Sequence, residues 1–180
     1  MEVELRAKIK DINKVKSRLK EIGAQSVKSK DLTDYYFGDI SLYEKIGHSF
    51  WIRVRVEDDK IELAYKGPTE TDGVYEEHEQ VLQNLDTALN IFKKMGLENP
   101  ITIKKHRETY KMGEISVIID SIEGKGDFLE LELISENADK TKLFELMKQL
   151  EINESDIFEK GFITLFLQEQ NSPFSKWVVN

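Results

Sequence analysis

The sequence has no cysteine, which excludes disulfide bonds, thiolate zinc sites and cysteine nucleophiles. No apolar run reaches the roughly 18 residues that a membrane helix needs, and the start shows no signal-peptide pattern. A Walker-type glycine loop, a G-x-S-x-G nucleophile motif and a dinucleotide fingerprint are also missing. We therefore expect a soluble, cytoplasmic protein with no membrane partner.

The charge balance argues against nucleic acid as a partner. The chain has 34 acidic and 26 basic residues, whereas nucleic-acid binding depends on a clustered basic excess. Its 180 residues are enough for one well-buried domain and few for two. We predict a single domain over residues 1–170 and a loosely ordered tail over residues 171–180, with Phe174 and Trp177 as candidate anchors.

A Glu-x-Glu strand followed by an amphipathic helix recurs three times along the chain. Helical spacing of apolar residues, a capping residue before the first helix and glycine stops after the first two indicate these helices. The three pairs are Glu2-x-Glu4 with the helix after Asp11, Glu77-x-Glu79 with the helix before Gly96, and Glu130-x-Glu132 with the helix around Leu143 to Leu150.

Further strands alternate apolar with charged residues between turn residues. They are predicted at Tyr35 to Phe37, Phe50 to Val56, Ile61 to Lys66, Ile101 to Tyr110 and Ile115 to Asp120, with a loop from Asp39 to Ser49. The strand that contains Glu77-x-Glu79 runs from Tyr75 to Leu82. The total is about eight strands, at which an antiparallel sheet can close around one ligand. The predicted fold is therefore α+β, an eight-stranded antiparallel closed β-barrel with helices packed on its outside.

The polar faces of these strands are unusual because they consist almost entirely of ions. Any single strand of this kind usually shows its charges to bulk water, and a plain amphipathic sheet stays an alternative. The apolar faces, however, must be covered by the helices, so in a closed barrel the ions would line the interior. Acids and bases enclosed together need strong partners, which a triphosphate with a divalent metal supplies. The bases are Arg6, Lys8, Arg53, Arg55, Lys66, Lys105 and Arg107, and the acids are Glu2, Glu4, Glu77, Glu79, Asp120, Glu130 and Glu132.

The order and spacing of these charged motifs resemble a known family. The motifs are Glu2-x-Glu4-x-Arg6, Asp34-x-Tyr36-Phe37, Arg53-x-Arg55, Lys66-Gly67-Pro68, Lys105-x-Arg107, Asp120 and Gly126-Asp127-Phe128-x-Glu130-x-Glu132. This series is similar to the CYTH domain, the triphosphate tunnel fold of class IV adenylyl cyclases and thiamine triphosphatases. The resemblance covers Glu2 to about Leu133, and a compatible helical remainder follows.

The resemblance implies roles for individual residues and a dependence on Mg²⁺ or Mn²⁺. It implies metal binding by Glu2, Glu4, Glu130 and Glu132, with Asp120 as a further ligand or an orienter. It also implies phosphate binding by Arg6, Lys8, Arg53, Arg55, Lys66, Lys105 and Arg107, and catalytic roles for Glu2, Glu4 and Arg6. Arg6 stands where the family signature has lysine. It keeps the positive charge, and its guanidinium suits bidentate phosphate binding.

The resemblance further implies a small-molecule triphosphate as substrate and suggests a homodimer. The first expected activity is that of a class IV adenylyl cyclase, which converts ATP to cyclic AMP and pyrophosphate. The alternative is an organic or inorganic triphosphatase similar to thiamine triphosphatase, which the absence of an upstream His-Phe pair favours. A non-catalytic module that binds polyphosphate or nucleotide is the second alternative.

Overall fold

The computed structural model describes residues 2–68, 75–135 and 139–178. Nine strands lie within these ranges, at β1 Glu2–Ile9, β2 Gln25–Gly38, β3 Trp51–Glu57, β4 Lys60–Pro68, β5 Tyr75–Leu82, β6 Glu98–Met112, β7 Ile115–Ile122, β8 Gly126–Ile134 and β9 Ile157–Phe158. The same ranges contain five α-helices, at α1 Ile12–Glu21, α2 Ile40–Ile46, α3 Leu85–Lys94, α4 Lys140–Gln149 and α5 Phe162–Glu169.

The strands form one antiparallel sheet in the order β5-β4-β3-β2-β6-β7-β8-β1-β9. The predicted α+β class is confirmed, but the count of eight strands is wrong. The ninth strand, β9, has only two residues, too few for an alternating pattern to reveal it. β5 and β9 are the edges of the sheet, and no hydrogen-bonded pairing joins them within the described ranges. The closed barrel is therefore not confirmed, because closure requires the two edge strands to pair.

All three predicted helices form, and their first residues follow the capping signals in the sequence. The side chain of Asp11 accepts a hydrogen bond from the backbone N–H of Lys14 at 3.0 Å, and Asn84 caps α3 in the same way. The loop predicted between β2 and β3 is wrong, since α2 forms there between the N-cap Asp39 and the left-handed C-cap Gly47. No helix within the described ranges is both long and apolar enough to cross a membrane.

The chain divides into two compact units, of which the first comprises residues 1–31 and 105–159. Its core covers one face of β1, β7 and β8, where Leu5, Val117 and Leu131 are fully buried. Leu19 of α1 and Leu143 of α4 belong to the same cluster. The helices therefore cover the apolar face, as predicted, and the charged residues of these strands lie on the opposite face.

The second unit comprises residues 32–104 and 160–180 and has a core of its own. Phe37 of β2 packs against Phe92 of α3 with ring centroids 5.1 Å apart, and Val54 is fully buried beside them. In the C-terminal segment, Phe174 lies in a short 3-10 helix and is 2% exposed. The single domain over residues 1–170 stays a prediction.

Candidate active site

The charged face of the first unit is arranged in rows that run across four strands. Arg6 of β1 lies opposite Glu130 of β8, which in turn lies opposite Ile118 of β7. In the next row, Glu4 lies opposite Glu132. Residues directly opposite each other in an antiparallel sheet point to the same face, so these rows bring charges from separate segments together.

Three carboxylates of the predicted metal set converge on this face. Glu4, Glu130 and Glu132 each offer an oxygen atom, and these atoms lie within 4.8 Å of one another. Glu130 is buried, whereas Glu4 and Glu132 are partly exposed. Such a set of carboxylate oxygens fits a hard divalent cation, so the predicted Mg²⁺ or Mn²⁺ is compatible with the residues present.

Arg6 binds two of these three carboxylates through one nitrogen atom. Its Nη2 lies 2.5 Å from Oε2 of Glu4 and 2.6 Å from Oε1 of Glu130. Its Nη1 donates to the backbone carbonyl of Glu159, just after β9, at 3.3 Å. The guanidinium is thus fixed between the acids, and it offsets part of their mutual repulsion.

Asp120 of β7 is the counter-ion of two basic residues of β6, Lys105 and Arg107. It accepts hydrogen bonds from Nε and Nη2 of Arg107 at 2.7 and 2.6 Å, and from Nζ of Lys105 at 3.0 Å. Nη2 of Arg107 also lies 3.5 Å from Oε2 of Glu130. Asp120 is therefore placed as an orienter of cations, and it is not one of the three clustered carboxylates.

The ionisation of these groups follows from burial and close partners. Burial raises the pKa of Glu4, and the charge of Glu130 adds to this effect, while Arg6 opposes it. Burial would lower the pKa of Arg6, but the charges of Glu130 and Glu4 outweigh burial and raise it. Burial would also raise the pKa of Asp120, yet the hydrogen bonds and charges of Arg107 and Lys105 hold it below its ordinary value.

The first unit contains two further predicted residues, Lys8 and Glu2. Nζ of Lys8, opposite Phe128 in the β1/β8 register, lies 6.0 Å from the centroid of its ring. The side chain of Glu2 lies outside the described residues, so its predicted metal and catalytic roles stay predictions.

The second unit places its predicted phosphate-binding residues among acids of its own. Arg55 binds the buried carboxylate of Asp34 with two hydrogen bonds of 2.6 and 2.8 Å. Burial would lower the pKa of Arg55, but Asp34 outweighs this and raises it. Nζ of Lys66 lies 2.6 Å from Oε2 of Glu77. These contacts hold the cations in defined positions.

Arg53 is the most deeply buried base of this second group, at 6% exposed. Its Nη2 donates long hydrogen bonds of 3.2 to 3.5 Å to carboxylate oxygens of Glu62, Glu77 and Glu79. Its Nε is buried and has no hydrogen-bond partner among the described residues. A buried donor of this kind is available to an anionic ligand.

Sequence reasoning missed some residues of these two clusters. Glu62 could have been predicted from the sequence, because it lies on the polar face of β4 together with Lys66. The strand register places it opposite Arg55. The backbone contact of Glu159 had none, since it depends on the two-residue strand β9 reaching Arg6. Thr109 of β6 is buried on a strand of charged residues and has no hydrogen-bond partner for its hydroxyl in the described part of the chain.

The fold agrees with the comparisons to known proteins. The chain matches the CYTH domain over residues 1–162 and therefore belongs to the CYTH domain family, which acts on small-molecule triphosphates. A Methanocaldococcus jannaschii protein, provisionally named an adenylate cyclase, is 36% identical over 173 residues, which are 92% of this chain and 98% of that protein.

Solved structures show the same fold. A protein from Pyrococcus horikoshii OT3 has a TM-score of 0.75 at 25% identity, over 92% of this chain and 99% of that one. A Hippeastrum protein has a TM-score of 0.63 at 15% identity, over 95% of each chain, and this likeness concerns the fold alone.

Proposed function

We propose that this protein is a metal-dependent, triphosphate-processing enzyme with the activity of a class IV adenylyl cyclase, converting ATP to cyclic AMP and pyrophosphate. The observation that carries the proposal is the convergence of Glu4, Glu130 and Glu132 within 4.8 Å. Arg6 and Arg107 contact members of this cluster directly. Acids beside guanidinium groups suit a polyphosphate with a divalent cation, since each ligand component finds an oppositely charged partner.

Each residue of the first unit has a distinct role in this proposal. Glu4, Glu130 and Glu132 would hold the divalent ion, which would supply Lewis-acid chemistry toward the phosphates and favour ionisation of the attacking hydroxyl. Lys105 and Arg107, held by Asp120, bind phosphate oxygens, and Arg6 offsets charge that develops during the reaction. Phosphoryl chemistry depends mainly on placement and electrostatic stabilisation, which these fixed cations supply.

The attacking group determines which reaction occurs. In cyclisation, the ribose 3′-oxygen bonds to the α-phosphorus, the bond to pyrophosphate breaks, and the hydroxyl proton leaves to solvent. The curated relative from M. jannaschii, provisionally named an adenylate cyclase at 36% identity, supports this choice. Arg53, Arg55, Lys66 and Lys8 keep their predicted phosphate-binding roles within the proposal, and the buried Nε of Arg53 supports its role.

A triphosphatase is the second candidate function. The Hippeastrum protein of this fold, although provisionally named an adenylyl cyclase, is described as having a dominant triphosphatase activity. The same phosphate-binding residues serve hydrolysis if water attacks the γ-phosphorus. The bond between this phosphorus and the bridging oxygen then breaks, the diphosphate leaves, the γ-phosphoryl group becomes orthophosphate, and the proton of the water passes to solvent. A homodimer, suggested by the family, stays a prediction.

A turnover assay distinguishes these functions. The protein is incubated with ATP, thiamine triphosphate or inorganic tripolyphosphate, each with Mg²⁺ or Mn²⁺, and the products are identified. Cyclic AMP supports the cyclase, orthophosphate supports the triphosphatase, and binding without product indicates a non-catalytic module.

The variant Glu130→Gln tests whether the carboxylate cluster carries the activity. It should abolish metal-dependent turnover and weaken Mg²⁺ binding measured by calorimetry, because an amide lacks the charge of a carboxylate ligand. Glu114→Gln, at an exposed turn residue, is the matched control and should behave as the unmodified protein. Equal rates in both variants would contradict the assignment of the site.

A further inference from the structure

The hydroxyl of Thr109 is buried without a partner in the described part of the chain. Thr109 is 9% exposed, and its Oγ1 makes no hydrogen bond to any residue that the structure describes. Burial of a hydroxyl without a hydrogen bond is unfavourable, because the group loses its contact with water and gains nothing in return. Valine has nearly the same shape and would avoid this cost. The stability of the ligand-free fold therefore does not explain why this position carries threonine, whereas a hydrogen bond to a bound ligand would explain it.

The strand register places Thr109 on the same face as the carboxylate cluster. Thr109 lies opposite Ile118, which lies opposite Glu130, which lies opposite Arg6. Along β6, residues of one face alternate, so Thr109 shares its face with Arg107 two residues before it. The guanidinium of Arg107 reaches Asp120 and Glu130, which shows that side chains on this face of β6 are directed toward the site.

Thr109 lies on the cationic side of this face rather than among the acids. β7 separates β6 from β8, so the backbones of Thr109 and Glu130 are about 10 Å apart at the usual strand spacing. That distance places the hydroxyl outside the cluster of Glu4, Glu130 and Glu132. Its neighbours along β6 are instead the phosphate-binding candidates Lys105 and Arg107.

We propose that Thr109 is a positioning residue whose hydroxyl donates a hydrogen bond to an oxygen of the bound polyphosphate. The inference rests on the proposed function of this face, and it adds an uncharged donor to the predicted set. A neutral hydroxyl has a narrow preferred direction for its hydrogen bond and adds no repulsion toward Arg107. It therefore fixes where the phosphate chain sits, while the cations supply most of the attraction.

The test compares Thr109→Val with Thr109→Ser in binding of inorganic tripolyphosphate, with and without Mg²⁺, and in thermal unfolding of the free protein. Valine should leave the melting temperature of the free protein unchanged or raise it. It should also weaken tripolyphosphate binding about tenfold, the factor for losing a hydrogen bond to a charged oxygen. Serine keeps the hydroxyl and should restore binding. The control is Thr102→Val, at an exposed position of β6, which should bind as the unmodified protein does.

Two results would overturn the inference. Unchanged tripolyphosphate affinity in Thr109→Val would show that the hydroxyl does not contact the ligand. A lower melting temperature of free Thr109→Val would show that the hydroxyl is already satisfied within the protein. If the unmodified protein neither binds nor turns over any triphosphate, the proposed function fails as well. Turnover by the unmodified protein with equal affinity in the valine variant refutes the role of Thr109 alone.

Discussion

Arg6→Met tests whether the guanidinium of Arg6 and a divalent metal compete for the same carboxylates. Arg6 is 8% exposed, and its Nη2 contacts Glu4 and Glu130 at 2.5 and 2.6 Å. Methionine keeps much of the apolar side chain but removes the charge. Removing one partner of a buried ion pair typically costs about 3 to 5 kcal/mol. Because Glu130 retains Arg107 at 3.5 Å, we expect the lower limit, about 3 kcal/mol of unfolding free energy.

The stability loss should depend on pH and on metal. Without Arg6, the pKa of Glu4, already raised by burial, should rise further. A carboxyl whose folded pKa exceeds its unfolded value, about 4.3 for glutamate, lowers stability as pH rises above that value. The deficit of Arg6→Met should therefore be largest near pH 7 and shrink toward pH 4. Added Mg²⁺ should stabilise the variant more than the unmodified protein, because the competing cation is gone.

Thermal unfolding monitored by circular dichroism, with and without Mg²⁺, measures both effects. A loss of about 3 kcal/mol corresponds to a decrease of roughly 6 to 12 °C for a chain of this size. The control is Lys10→Met, whose exposed ion pair with Asp156 should contribute less than about 1 kcal/mol. An equal or smaller Mg²⁺ shift in Arg6→Met than in the unmodified protein would refute competition between the two cations.

Two further substitutions test buried contacts, one in each unit. Asp120→Asn should lower the unfolding free energy by about 3 kcal/mol in urea denaturation at pH 7, because Lys105 and Arg107 lose a buried counter-ion. Since partners hold the pKa of Asp120 below its unfolded value, this difference should vanish as pH falls through the folded pKa; a difference that persists in acid would contradict it. Gly38→Ala should lower the melting temperature, because the added Cβ atom would lie 2.2 Å from Oη of the fully buried Tyr43. Overpacking of this kind typically costs about 1 to 3 kcal/mol of unfolding free energy. An unchanged melting curve would show that Tyr43 can move freely.

The features of the fold that depend on local periodicity could be predicted from the sequence. Alternation along β1 predicts which of its residues face the helices, and full burial of Leu5 and Ala7 confirms this. The helix α2 was missed although Asp39 and Gly47 are recognisable caps, because its seven residues are too few to establish a helical period. The length of β2 was also missed, since most of its first half is exposed and alternates weakly.

Pairing between distant strands lies beyond local patterns. The sequence shows that Glu4, Glu130 and Glu132 belong to Glu-x-Glu motifs in alternating strands. Only the β1/β8 register, however, brings Glu4 opposite Glu132. A shift of one residue would turn every charge of β1 into the helix-covered core, so burial of Leu5 and Leu131 determines this register. The carboxylate cluster is therefore a consequence of apolar packing on the other face of the sheet.

Pairing of opposite charges explains how the proposed site accommodates so many ionised side chains. On the first unit's charged face, Arg6 neutralises part of the negative charge of Glu4 and Glu130. Asp120 neutralises part of the positive charge of Lys105 and Arg107. A divalent ion alone would add positive charge beside these bases, and a polyphosphate alone would add negative charge beside these acids. Bound together, the two ligands largely cancel each other's charge and each meets its complementary residues. In the proposed reaction, metal and triphosphate should therefore assist each other's binding, and the turnover assay must supply both.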